Sequence, residues 1–227
     1  MARRVLVLGI GNILWGDEGF GVRAVETLHR RYTLPDHVTV LDGGTQGLYL
    51  VQYVREADDL LVFDAIDYGL PPGTLKIVRD GDVPKFTGSK KMSLHQTGFQ
   101  EVLSAADLLG DYPSRLALIG CQPLDLENWG GPLTAPVRDA IDEAVETARD
   151  ILLGWGVDCV PRAEPLSPEQ ALLGHDIDHL NYEVKISADA AGEWRDRHDL
   201  LANDRRCDGA RSSRGEGASG RASIRVR

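Results

Sequence analysis

Hydrophobic positions in this chain fall into short unbroken runs separated by stretches in which they recur every three or four residues. The runs Val5 to Leu8, Val38 to Leu41, Leu60 to Phe63 and Leu116 to Ile119 read as strands buried on both faces. Between and after them the period lengthens. Val22, Val25 and Leu28 alternate with the charged Arg23, Glu26 and Arg30, which predicts an amphipathic helix. Leu48, Val51 and Val54 predict a second helix, and Phe99, Val102, Leu103 and Leu108 a third. Val137, Ile141, Val145, Ala148 and Leu152 predict a long fourth one stopping near Gly154 and Gly156. Thr74 to Val78 alternates like a strand with one wetter face. It follows the Pro71-Pro72-Gly73 turn rather than a helical crossover, so it is expected to run antiparallel. Strands alternating with helices imply a layered α/β domain around a five-stranded, mainly parallel sheet.

Past Pro161 the pattern changes. Pro161, Pro165 and Pro168 interrupt the chain, and from Arg205 it is mostly Arg, Gly, Ser and Ala. We therefore expect an α/β domain over residues 1–160 and an extension over 161–227, mostly disordered because it has little to bury.

Composition narrows the function. A net charge of −10 over 227 residues argues against nucleic acid as the main partner. No stretch reaches the roughly 20 apolar residues of a membrane span. Arg3 and Arg4 before Val5 to Leu8 resemble the start of a signal peptide, but Gly9-Ile10-Gly11-Asn12 breaks the run at once. A cytoplasmic protein is the expectation. Cys121, Cys159 and Cys207 have neither finger nor redox spacing and are read as reduced thiols.

The chemistry is expected at the carboxyl ends of the strands, where open α/β sheets bind ligands. Gly9-Ile10-Gly11 follows a strand, but Leu14 stands where a dinucleotide fingerprint needs its third glycine. Asp17 and Glu18 before the helix would repel a pyrophosphate. What remains is a polar edge suited to a cation, with Asp17, Glu18, Asp42, Asp64, Asp67 and His95 each just after a strand or just before a helix. Glu18, Asp64 and His95 form a mixed oxygen and nitrogen set that suits zinc or nickel and leaves positions open. There is no nucleophile elbow and no zinc-protease helix motif.

Five segments together carry a resemblance: GIGNILWGDEGFGVRAVE, LDGGTQG, LLVFDAID, SLHQTGFQEVL and LIGCQP. From about Val5 to about Val160 the chain resembles the nickel–iron hydrogenase maturation endopeptidases. The resemblance implies a three-layer α/β/α sandwich. It also implies removal of the C-terminal peptide from the nickel-loaded precursor of a hydrogenase large subunit, the expected partner. By the same resemblance, Glu18, Asp64 and His95 bind a divalent metal, nickel supplied by the precursor or another cation in the isolated protein. The turn Asp42-Gly43-Gly44-Thr45 is associated with substrate recognition. Asp17 is a candidate proton-transfer helper. A non-proteolytic nickel-sensing chaperone docking on the same subunit is the alternative, and the acidic surface is compatible with a monomer.

Overall fold

The computed structural model describes residues 2–83, 94–127, 129–164, 166–167, 170–174 and 177; residues 94–98 are described by backbone alone. All belong to the first of two units into which the chain divides, Met1–Ile186 and Ser187–Arg227. The polar loop expected between Lys85 and Ser93, Cys207 and most of the expected extension lie outside the described residues.

The solid apolar runs become the centre of the sheet. β1 (Val5–Ile10), β3 (Val38–Gly44), β4 (Asp59–Ala65) and β6 (Arg115–Cys121) are parallel neighbours, and β5 (Leu75–Arg79) joins β6 antiparallel, in the order β3-β1-β4-β6-β5. β1 and β4 are buried at every position, as unbroken Val, Leu and Phe require of strands covered on both faces. The expected antiparallel fifth strand is thus present.

Helices cover both faces. α1 (Phe20–Arg31) and α4 (Ala135–Gly154) lie on one face, where Val25, Leu28, Val137, Ile141 and Val145 pack against Val7, Phe63 and Ile119. On the other, α2 (Val51–Glu56) and α3 (Leu94–Leu108) bring Val54, Phe99, Val102 and Leu103 against Leu8, Leu60, Val62 and Leu118. These are the three layers of an α/β/α sandwich. Each fully buried Leu or Phe contributes about 1.5–3 kcal/mol, so the two apolar layers hold the sheet in place.

Two expectations about helix faces need correction. Leu48 falls in a 3-10 turn (Gly47–Leu50) ahead of α2 and is exposed, while Leu50 is buried in its place. Leu108 ends α3 and is 87% exposed. α2 starts one turn later than the apolar spacing suggests, whereas α3 ends at Leu108 as expected but leaves that residue in solvent.

A two-residue strand pair escaped the sequence pattern. β2 (Tyr32–Thr33) pairs antiparallel with β7 (Val160–Pro161), and the Arg162 amide continues the contact to the Arg31 carbonyl. The first residues of the extension therefore lie on α1. Leu173 is buried, and Arg23 donates to the Ile177 carbonyl at 2.9 Å.

Candidate functional site

The carboxyl ends of β1, β3, β4 and β6 form one edge, and the loops leaving them are locked together. Gly11 sits at φ +137°, and a Cβ there would overlap the Glu18 carbonyl oxygen. Only glycine lets the chain reverse so that a 3-10 turn (Gly16–Gly19) folds back over the end of β1. Gly21 packs just as closely, its Cα facing the carbonyls of Ile10 and Phe63, which seats the start of α1 directly on β1 and β4. The glycines that imitate a dinucleotide fingerprint serve backbone packing here.

The β3 turn meets the β1 turn. The register between the strands slips at Gly9 and Ile10, so that Ile10 faces Gly44, and the Gly11 amide donates to the Gly44 carbonyl at 3.0 Å. The Asp42 carboxylate accepts from the Gly44 amide at 2.9 Å, which shapes the Asp42–Thr45 turn. Burial raises the Asp42 carboxyl above its ordinary value, partly offset by the Gly44 amide and by Arg23.

Asp64 closes β4 and is 4% exposed. Burial pushes its carboxyl well above the usual carboxylate range, the Ala65 amide works against that, and the Glu18 charge adds to it. Glu18, half-buried, is thus an electrostatic neighbour of Asp64. Alternation along β4 puts Asp64 on the same sheet face as Leu60 and Val62, which is the face α3 covers. His95 is the second residue of α3. The structure therefore brings Glu18 and Asp64 together and sets the helix carrying His95 over the same face. The His95 side chain itself lies outside the described residues, and among those described no group of three or more His, Cys, Asp and Glu is disposed to hold a metal. Glu18 and Asp64 fit a divalent cation on their own chemistry: two carboxyl groups that raise one another's energy are relieved by positive charge between them.

Asp17 stands apart from this pair. It is fully buried, and its carboxylate accepts from the amides of Leu124 (2.8 Å), Asp125 (2.9 Å) and Thr134 (2.7 Å) and from the Thr134 hydroxyl (2.9 Å). Its own amide donates to the Asp125 carbonyl at 3.1 Å. Four accepted hydrogen bonds occupy the carboxylate in fastening the loop after β6 to the Glu18 turn, a positioning task distinct from the proton transfer expected of it. Nearby, the Gly130 amide donates to the Leu14 carbonyl at 2.7 Å, and the Trp15 and Trp129 rings meet edge-on at 4.9 Å.

Sequence reasoning passed over Gln122. Its buried amide accepts from the amides of Tyr68 (2.7 Å) and Leu70 (3.1 Å) and donates to Asp67 (3.0 Å) and the Pro123 carbonyl (3.2 Å). This holds the loop after Asp64 in shape, and Asp67 serves that loop too by accepting from the Gly69 amide at 3.0 Å. An amide immediately after the apolar run from Leu116 to Cys121 was the available signal. Cys121 is buried among apolar groups that push its thiol up to about 12, which keeps it protonated.

Known proteins resemble this chain in sequence and fold. A family model described as hydrogenase maturation protease matches residues 22–151, beginning just after the Glu18 turn. The chain is 69% identical over 182 residues to the hydrogenase expression/formation protein HupD of Bradyrhizobium diazoefficiens, covering 80% of this chain and 95% of that protein. It is 45% identical over 160 residues to the hydrogenase 2 maturation protease of Escherichia coli, covering 70% of this chain and 96% of the other. The solved hydrogenase maturating endopeptidase HybD of E. coli superposes with a TM-score of 0.67 at 44% identity, over 70% of this chain and 98% of that one.

Proposed function

The chain belongs to the hydrogenase maturation protease family, and from that premise we propose that it removes the C-terminal peptide from the nickel-loaded precursor of a hydrogenase large subunit. The observation that carries the proposal is the pairing of buried Asp64 with Glu18 at the sheet's carboxyl edge, under the face covered by the His95 helix.

Each residue then has a task. Glu18 and Asp64 offer carboxylate oxygens to the precursor's nickel, and His95 offers a nitrogen from the start of α3. Burial works against the charge on Asp64, and a cation beside it offsets that cost, which favours engagement of a nickel-loaded precursor over an empty one. Bound nickel supplies Lewis-acid polarisation of the scissile carbonyl or of a water. The Asp42–Thr45 turn is fastened to the β1 turn through Gly11 and Gly44 and meets the substrate chain at its exposed end, Thr45. Asp17 keeps the loop after β6 from drifting across the site.

Intact-mass analysis of a large-subunit precursor tests this directly. With nickel loaded and wild-type protein present, the precursor loses one defined C-terminal peptide; without nickel, or with His95→Ala, its mass is unchanged. Binding without any mass change in the nickel-loaded sample would instead mark a nickel-sensing chaperone.

A further inference from the structure

Beside Asp64 stands a group that no part of this scheme uses. Asp64 is paired in register with Gly120 across β4 and β6, and paired residues of parallel neighbours project to the same face. Gly120 has no side chain, and the space it leaves is filled by Tyr68. A Cβ at Gly120 would run into the Tyr68 hydroxyl and stand 2.8 Å from Cε2 and 2.9 Å from Cζ. The phenol tip therefore occupies the position next to the Asp64 side chain, on the face α3 covers. The loop is held there by Gln122, which accepts from the Tyr68 amide at 2.7 Å. The ring is fixed from outside by the Lys76 ammonium, 4.7 Å from its centroid.

The Tyr68 hydroxyl is buried and has no hydrogen-bond partner among the described residues. A phenol so placed costs stability unless something reaches it, and such groups concentrate where a ligand completes the network. Burial and then the Asp64 charge push this phenol up, so it stands as a protonated donor.

We infer that the Tyr68 hydroxyl donates a hydrogen bond to the carbonyl oxygen of the scissile peptide bond held beside Asp64. Tyr68 keeps its proton throughout and forms no covalent bond. Its donor strengthens as the carbonyl gains negative charge on attack, which is where a fixed donor in a dry site acts most. The geometry also explains a glycine at position 120, because any side chain there would displace the donor.

This inference rests on the endopeptidase reading, and one set of measurements separates the two. Tyr68→Phe removes the oxygen while leaving the ring and its contact with Lys76. With nickel-loaded large-subunit precursor, the variant is expected to lose about 10²–10³-fold in kcat, with KM and precursor affinity close to wild type. Its Tm is expected to stay level or rise, because an unsatisfied buried hydroxyl has been removed. A purely structural tyrosine behaves the opposite way, losing Tm along with activity. Wild-type kcat in Tyr68→Phe would overturn the inference and leave the endopeptidase reading intact, as would a rise in KM alone or a fall in Tm that accounts for the lost rate. If wild-type protein releases no peptide, the reading itself fails and this inference falls with it.

Discussion

Asp59 and Asp64 stand at opposite ends of the same strand, β4, with their carboxyl groups driven in opposite directions. At the amino end burial disfavours the Asp59 charge, but Arg115 and Arg3 outweigh it and hold the carboxyl at about 2. At the carboxyl end no such cation stands by Asp64 among the described residues, and burial with the Glu18 charge pushes it well up. One pole of the sheet is finished as structure, and the other is left wanting positive charge.

At the Asp59 pole the ordinary carboxyl value of 3.8 is depressed on folding to about 2. Its contribution is present above about pH 4 and is lost as the pH falls from there toward 2, because the unfolded chain takes up the proton first. Arg3 and Arg115 are partly exposed, at 48% and 33%, so the pairs are screened and we expect a loss of about 1–2 kcal/mol. Urea unfolding of wild type and Asp59→Asn at pH 7 and pH 3 should show the gap between them narrow at the lower pH.

At the other pole the expectation reverses. Asp64→Asn replaces a buried acid with a neutral group of the same shape, so its Tm is expected to match or exceed wild type. Precursor cleavage is expected to vanish. Thermal unfolding alongside intact-mass analysis checks both, and a variant that still cleaves would remove Asp64 from the site.

Asp17→Ala strips the partners from three backbone amides and a hydroxyl in the loop after β6. The expected cost is about 2–4 kcal/mol. Hydrogen exchange should show lost protection at Leu124, Asp125 and Thr134 before any change in the β4 amides. Unchanged protection there would mean that the loop is held by other contacts.

Gly11→Ala forces a Cβ into the Glu18 carbonyl at a backbone angle that alanine avoids. We expect a loss of about 2–4 kcal/mol and a fall in precursor cleavage greater than the unfolded fraction explains, since the Glu18 turn itself must shift. Chemical unfolding and kcat measured on the folded fraction separate the two effects.

Much of this protein was written in its pattern. Val5 to Leu8 and Leu60 to Phe63 could only be strands covered on both faces, because a solid apolar run exposed on either side would be unstable in water. The short turn at Pro71-Pro72-Gly73 left Thr74 to Val78 no crossover, which made β5 antiparallel. Glu18 and Asp64 were legible as candidates because polar residues at strand ends emerge at one edge whatever the loops do. The pattern was silent wherever a residue's task depends on a partner distant in the chain. Asp17 and Glu18 are neighbours of the same charge, and only packing shows that one is consumed by the loop reaching Thr134 while the other lies close enough for its charge to act on Asp64. Leu48 carries the right spacing for a buried helix position, but the 3-10 turn before α2 rotates it into solvent. Tyr68 gives no local sign at all: its place beside Asp64 follows from the register of β4 against β6 and the bare Gly120 between them. Periodicity is a property of nearest neighbours and survives in one dimension, whereas which side chains share a site is settled only when separate strands fall into register.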